Sequence, residues 1–143
     1  MKRLFVTFFI LCSLSGCAML RNPFLTTPVP AELSQSLAAD AIKHLQTQYP
    51  PANTTFNIGQ SVDKTDPFGT ALMFQLREKG YAVQTGENTG TGLSLRYSVD
   101  KPASSFVAGL YRVQLTVGKT ILTRAYTDEN NMAIAAGAWA KME

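Results

Sequence analysis

Few side chains in this sequence could do covalent or proton-transfer chemistry. There are two cysteines, Cys12 and Cys17, and one histidine, His44. Cys17 has the most informative surroundings. It follows Leu14-Ser15-Gly16, whose small residues leave a peptidase room to reach the bond before the cysteine. Those residues end an apolar run, Leu4 to Leu14, behind the basic start Met1-Lys2-Arg3. A basic n-region, an apolar h-region and a small-residue cleavage site mark a secretory signal, and a thiol directly after the site gives the new terminus a group that can be modified.

Leu14-Ser15-Gly16-Cys17 resembles the lipobox of bacterial lipoprotein signal peptides. The resemblance implies that residues 1–16 are a signal peptide, that cleavage falls before Cys17, and that Cys17 carries acyl chains. The apolar run is too short to hold the chain itself, because crossing a core of roughly 30 Å takes about 20 apolar residues as a helix. Lipid does so instead: each buried methylene contributes about 0.8 kcal/mol, and two chains hold stably where one holds marginally. Cys12 leaves with the signal and Cys17 is used, so the folded part has no thiol and no disulfide. Stability then has to come from burial, which 45% apolar composition permits. The formal charge of +3 also shrinks, since Lys2 and Arg3 leave and 11 Lys and Arg face 10 Asp and Glu. A near-neutral domain with scattered cations is not expected to bind nucleic acid directly.

The remaining residues do not compose an active centre. An enzyme needs a nucleophile with a base, paired carboxylates in a cleft, or a metal cluster. His44 sits at the border of an apolar helical stripe with no catalytic partner in sequence, and one histidine with dispersed carboxylates makes no metal site. Asp63 and Asp66 could form a pair, but Asp66 is better explained as a helix cap. The loop with Gly86, Gly90 and Gly92 precedes no helix, so it offers phosphate no helix N-terminus. No enzyme activity, catalytic residue, metal or cofactor is expected.

The elements that position these residues begin with a tether, residues 17–33, carrying Pro23, Pro28 and Pro30 and no hydrophobic period. Over residues 18–33 its reach is up to about 50 Å. Met19, Leu20, Phe24, Leu25 and Val29 are more apolar than a solvated linker needs. They could dock along a partner, or lie on lipid or on the chain's own domain. The globular domain, residues 34–143, opens with a helix starting between Pro30 and Ser36, with Leu37, Ala41, Ile42, Leu45 and Tyr49 as its stripe, stopped by Pro50-Pro51. A strand follows at 54–60. Asp66-Pro67-Phe68-Gly69 opens a second helix with Phe68, Leu72 and Leu76 buried, and Gly80-Tyr81 closes it. Tyr81 to Gln84 is a short strand and 85–92 a hairpin loop.

Leu93, Leu95, Tyr97 and Val99 alternate inward on the next strand, and Tyr111, Val113, Leu115 and Val117 on the one after. Gly118-Lys119 fits a type II′ hairpin, which sets Val117 against Thr120, Leu115 against Leu122, Val113 against Arg124 and Tyr111 against Tyr126. Arg124 then shares an inward face with Leu122 and two tyrosines. Its stem can pack on the sheet with the guanidinium at an edge or over a ring, or it can meet a partner. Met132 to Trp139 reads as a last strand, with Trp139 anchoring in the core or at an edge. The fold class is α+β: two helices packed on one face of a mainly antiparallel sheet of about five or six strands.

Tyr49-Pro50-Pro51, Asp66-Pro67-Phe68-Gly69 running through Leu72 and Leu76 to Gly80-Tyr81, Tyr111-Arg112-Val113, Arg124-Ala125-Tyr126 and Gly137-Ala138-Trp139, in that order, resemble the TrbH family of conjugal transfer lipoproteins. The resemblance implies a structural component of the mating pair formation apparatus, a type IV secretion system. The expected place is the cell outer membrane, lipid-anchored, with the domain facing the periplasm; Ala18 after Cys17 suits that sorting. Expected partners are the membrane, through lipid, and periplasmic or outer-membrane core subunits, with Phe24, Leu25, Arg124 and Trp139 as candidate contacts. A different reading is a monomeric surface or periplasmic lipoprotein that binds a ligand or excludes other donors at the recipient surface.

Overall fold

The computed structural model describes residues 28–86, 91–102 and 109–143. Helix α1 spans Ala31–Gln48, strand β1 Thr55–Ile58, helix α2 Pro67–Glu78 and strand β2 Ala82–Thr85. Then come β3 Leu93–Asp100, β4 Leu110–Val117, β5 Thr120–Glu129, β6 Met132–Ala135 and β7 Ala140–Met142. The strands form one sheet in the order β2-β1-β3-β4-β5-β6, with β7 also paired to β5. It is antiparallel from β3 onward; β1 runs parallel to both β2 and β3. This is the expected α+β class, with both helices on one face. α1 lies over β6 and α2 over β2, packed against each other.

The core is the layer between helices and sheet. α1 contributes Leu33, Leu37, Ala38, Ala41, Ile42 and Leu45, and α2 contributes Phe68, Leu72 and Leu76, all essentially inaccessible. They meet the inward faces of β3 and β4, where Leu95, Tyr97, Val99, Tyr111, Val113, Leu115 and Val117 are buried at alternate positions. α1 starts at Ala31, inside the stretch expected as tether, and Val29 before it is buried in the core. Val29, the apolar tether residue nearest the helix, therefore belongs to the fold.

α2 is delimited by local chemistry. Asp66 Oδ1 accepts from Gly69 N at 2.8 Å, Pro67 occupies the first turn, and the end is a Schellman closure in which Tyr81 N donates to Leu76 O and Gly80 N to Arg77 O. Gly80 has φ +86°, a conformation that favours glycine. Tyr81 is buried; its hydroxyl donates to Tyr49 O at 2.6 Å, tying the start of β2 to the end of α1. Asp66 Oδ2 also accepts from the Tyr97 hydroxyl at 2.5 Å, so the cap of α2 is bolted to β3. Asp63 does not pair with Asp66 as a carboxylate; its Oδ1 accepts from Thr65 N at 3.0 Å, which holds its carboxyl below the ordinary aspartate value.

Two sequence expectations are corrected by the pairing. The connection 85–92 is not a hairpin, because β2 and β3 flank β1 on opposite sides and the chain passes from one to the other. β1 meets β3 only at Phe56↔Leu93 and Asn57↔Ser94, and beyond that point Gln60 Oε1 takes the amide of Tyr97. A side chain there replaces the missing ladder acceptor. The last strand is not continuous either: β6 pairs with Tyr126 to Glu129 and β7 with Ile121 to Thr123, and between them Ala136, whose amide donates to Ala125 O, still bonds the β5 backbone before the chain leaves the ladder at 137–139. The Gly118 hairpin keeps the expected register, Val113↔Arg124 and Tyr111↔Tyr126 included.

Candidate functional site

The interruption of the last strand assembles a cluster of polar and aromatic side chains at the edge of the helix layer. Register places Arg124 on the inward face of β5, two residues from Tyr126 and opposite Val113. A cation so placed needs an acceptor within the layer. α1 supplies one: Arg124 NH1 donates to Asp40 Oδ2 at 2.8 Å, forming an ion pair whose side chains are 20% and 31% exposed. The same oxygen accepts from the Tyr126 hydroxyl at 2.7 Å. Arg124 Nε donates to Gly137 O at 2.7 Å, so one guanidinium links α1, β5 and the break between β6 and β7. Its carbon lies 5.7 Å from the centre of the Tyr126 ring.

Aromatic packing completes the clamp. Trp139 stacks on His44, centroids 4.9 Å apart and planes within 7°, and meets Tyr126 edge-on at 6.4 Å. Gln48 Nε2 lies 3.0 Å from His44 Nε2, one turn along α1. Burial lowers the His44 pKa, with Asp40 opposing and Arg124 adding to the shift, which favours the neutral form of the stacked ring. Burial, followed by the Asp40 hydrogen bond and charge, pushes the Tyr126 phenol far above the ordinary tyrosine value. Asp40 is engaged by the guanidinium and the phenol, and His44 by the indole. Geometry of this kind holds elements together; it does not line up a base with a nucleophile.

The structure thus brings together two of the candidate contacts, Arg124 and Trp139, which the sequence placed far apart. Leu14, Ser15, Gly16, Cys17, Phe24 and Leu25 lie outside the described residues. Asp40 was not singled out from sequence. Its signal was present, since Asp40, His44 and Gln48 recur every four residues on one border of the α1 stripe. What the sequence did not contain was the break at 137–139 that turns Trp139 back over that border. Among the described residues no three His, Cys, Asp or Glu gather as a metal site, and no helix is long and apolar enough to cross a membrane.

Comparison with known proteins agrees with the order of pieces. The family model described as conjugal transfer protein TrbH matches residues 21–143, which includes every element described above. A "Probable conjugal transfer protein TrbH" of Sinorhizobium fredii (strain NBRC 101917 / NGR234) is 30% identical over 148 residues, covering 96% of this chain and 92% of that protein. No solved structure matches. The chain belongs to the TrbH family of conjugal transfer proteins, and membership implies a role in conjugation.

Proposed function

We propose that this protein is a lipid-anchored structural component of the mating pair formation complex, held at the outer membrane through Cys17 with its domain in the periplasm and contacting core subunits there. The family match over residues 21–143 carries the reading, and the Leu14-Ser15-Gly16-Cys17 sequence supplies the anchor. The clamp supports a non-catalytic role, because its charged groups, Asp40 and Arg124, are paired with each other and with Tyr126 and Gly137 O. The protein acts by holding partners in place.

Cross-linking in intact donor envelopes, followed by purification of the tagged protein, is expected to recover core subunits of the secretion complex in fixed ratio. Recovery of monomer alone would count heavily against the proposal. A Cys17→Ala variant exported on an ordinary signal should fold, lose membrane association and transfer DNA poorly; normal transfer by that unanchored variant would remove the case for anchoring.

A further inference from the structure

The face of the helix layer turned away from the sheet is not closed. Between α1 and α2 runs a groove of about 870 Å³ with Ala39, Ile42, Pro67, Ala71 and Phe74 along it. Phe74 is 62% exposed, although Phe68, Leu72 and Leu76 of the same helix are fully buried. It lies out of phase with that stripe, and Pro67, Ala71, Phe74 and Glu78 make a second stripe at helical spacing. An aromatic side chain exposed beside a concave apolar surface is the form of a partner's docking point, where aromatic residues dominate binding.

The rim identifies the occupant. Lys43, Lys64 and Lys79 line the groove with one carboxylate, Glu78, and none of the three lysines is in an ion pair among the described residues. We infer that this groove binds an apolar peptide segment of a partner protein that carries acidic residues beside its apolar anchors. The chain's own segment 18–27 is apolar, but its single charge is Arg21, the wrong sign for a lysine rim. The inference goes beyond the anchoring proposal, since it concerns the domain whether or not Cys17 carries lipid.

The test pans a displayed random-peptide library on the full-length protein in detergent, then measures affinity of the selected peptides by fluorescence anisotropy. Selected peptides should share apolar residues flanked by Asp or Glu and lose affinity with added salt. Binding should weaken by about tenfold or more with Phe74→Ala, and comparably with Lys43→Glu combined with Lys79→Glu. Arg96→Glu, on the sheet, should leave it unchanged. Phe74 and the lysines are exposed, so an unchanged circular dichroism melt is expected for each variant. Failure to select any peptide, or selected peptides that bind Phe74→Ala equally well, overturns the inference. So does concentration-dependent dimerisation abolished by Phe74→Ala, which would make a second copy the occupant. Phe74- and lysine-dependent binding to phosphatidylglycerol vesicles without peptide selection would assign the face to a lipid surface instead.

Discussion

Gly69 has no room for a side chain, and replacing it by alanine tests whether the cap of α2 is bolted to the sheet. A Cβ built there falls 2.6 Å from Asp66 Oδ2, 2.7 Å from Tyr97 Cζ and still closer to the Tyr97 hydroxyl, deep inside van der Waals contact. Nothing nearby can yield cheaply, because Tyr97 is 2% exposed and packs on Phe68 at 5.4 Å. Overpacking of a core costs about 1–3 kcal/mol. Pushing the phenol off Asp66 forfeits a hydrogen bond to a charged acceptor, about 1.5–3 kcal/mol. Alanine recovers about 1 kcal/mol of helix propensity. The expected net loss for Gly69→Ala is about 2–4 kcal/mol, read as a lowered urea midpoint with unchanged slope. Tyr97→Phe removes the oxygen that meets the new methyl. The double variant should therefore be more stable than the two single losses predict, by about 1 kcal/mol or more. A Gly69→Ala protein within about 0.5 kcal/mol of the parent, a change typical of ordinary surface sites, would refute the steric reasoning, and fully additive losses would show that the hydroxyl is not what the methyl strikes.

Arg124→Met keeps the stem but removes the groups that hold Asp40 and Gly137 O; it should cost about 1–2 kcal/mol, partial exposure reducing the value of the ion pair. Trp139, the sole tryptophan, should report it as a shifted emission together with faster hydrogen exchange at the amide of Ala136, which bonds Ala125 O. At alkaline pH, Tyr97 and Tyr126 should both destabilise the fold. Their native pKa values are raised by burial and then by hydrogen bonds to Asp66 and Asp40. The stabilisation they give is complete below the unfolded tyrosine value of about 10 and is lost as pH rises above it, by at most about 1.4 kcal/mol per pH unit for each. Urea midpoints between pH 9 and 11 should fall less steeply in Tyr97→Phe than in the parent; equal slopes would mean that the phenol ionises as easily folded as unfolded.

The legible parts of the fold are those where a local rule and the hydrophobic period agree. Asp66-Pro67 and Gly80-Tyr81 bound α2, and Gly118, with φ +60° and Lys119 not in the left-handed region, fixed the register of β4 and β5 through the II′ turn. That register set Arg124 opposite Val113 and Tyr126 opposite Tyr111, on one inward face. What could not be read was pairing over a distance. A strand as short as Ala82–Thr85 carries no mark of whether it runs parallel to β1, and the loop after it looked like a hairpin for that reason. Ala-rich residues 133–138 gave no periodic signal of the break, because small side chains suit a strand and a loop alike. Gly69 was read as part of a helix start, while its need for glycine comes from Tyr97, on a strand far along the chain.

The two sides of α1 are mechanically linked. Asp40, His44 and Gln48 face the clamp, while Ala31, Gln35, Ala39 and Lys43 face the groove with α2. The helix is fixed to the sheet edge by Arg124 and to β2 by the Tyr81 hydroxyl at its last turn. Its buried stripe and the Gln75 Nε2 bond to Gln35 O hold it against α2 as well. The N-terminal end sets a second constraint. Because Val29 is buried, only residues 18–28 separate Cys17 from the core, a reach of at most about 40 Å, shorter than the length of the prolines and apolar residues indicated. With Cys17 in lipid, the Ala31 end of the groove stays within that distance of the membrane surface.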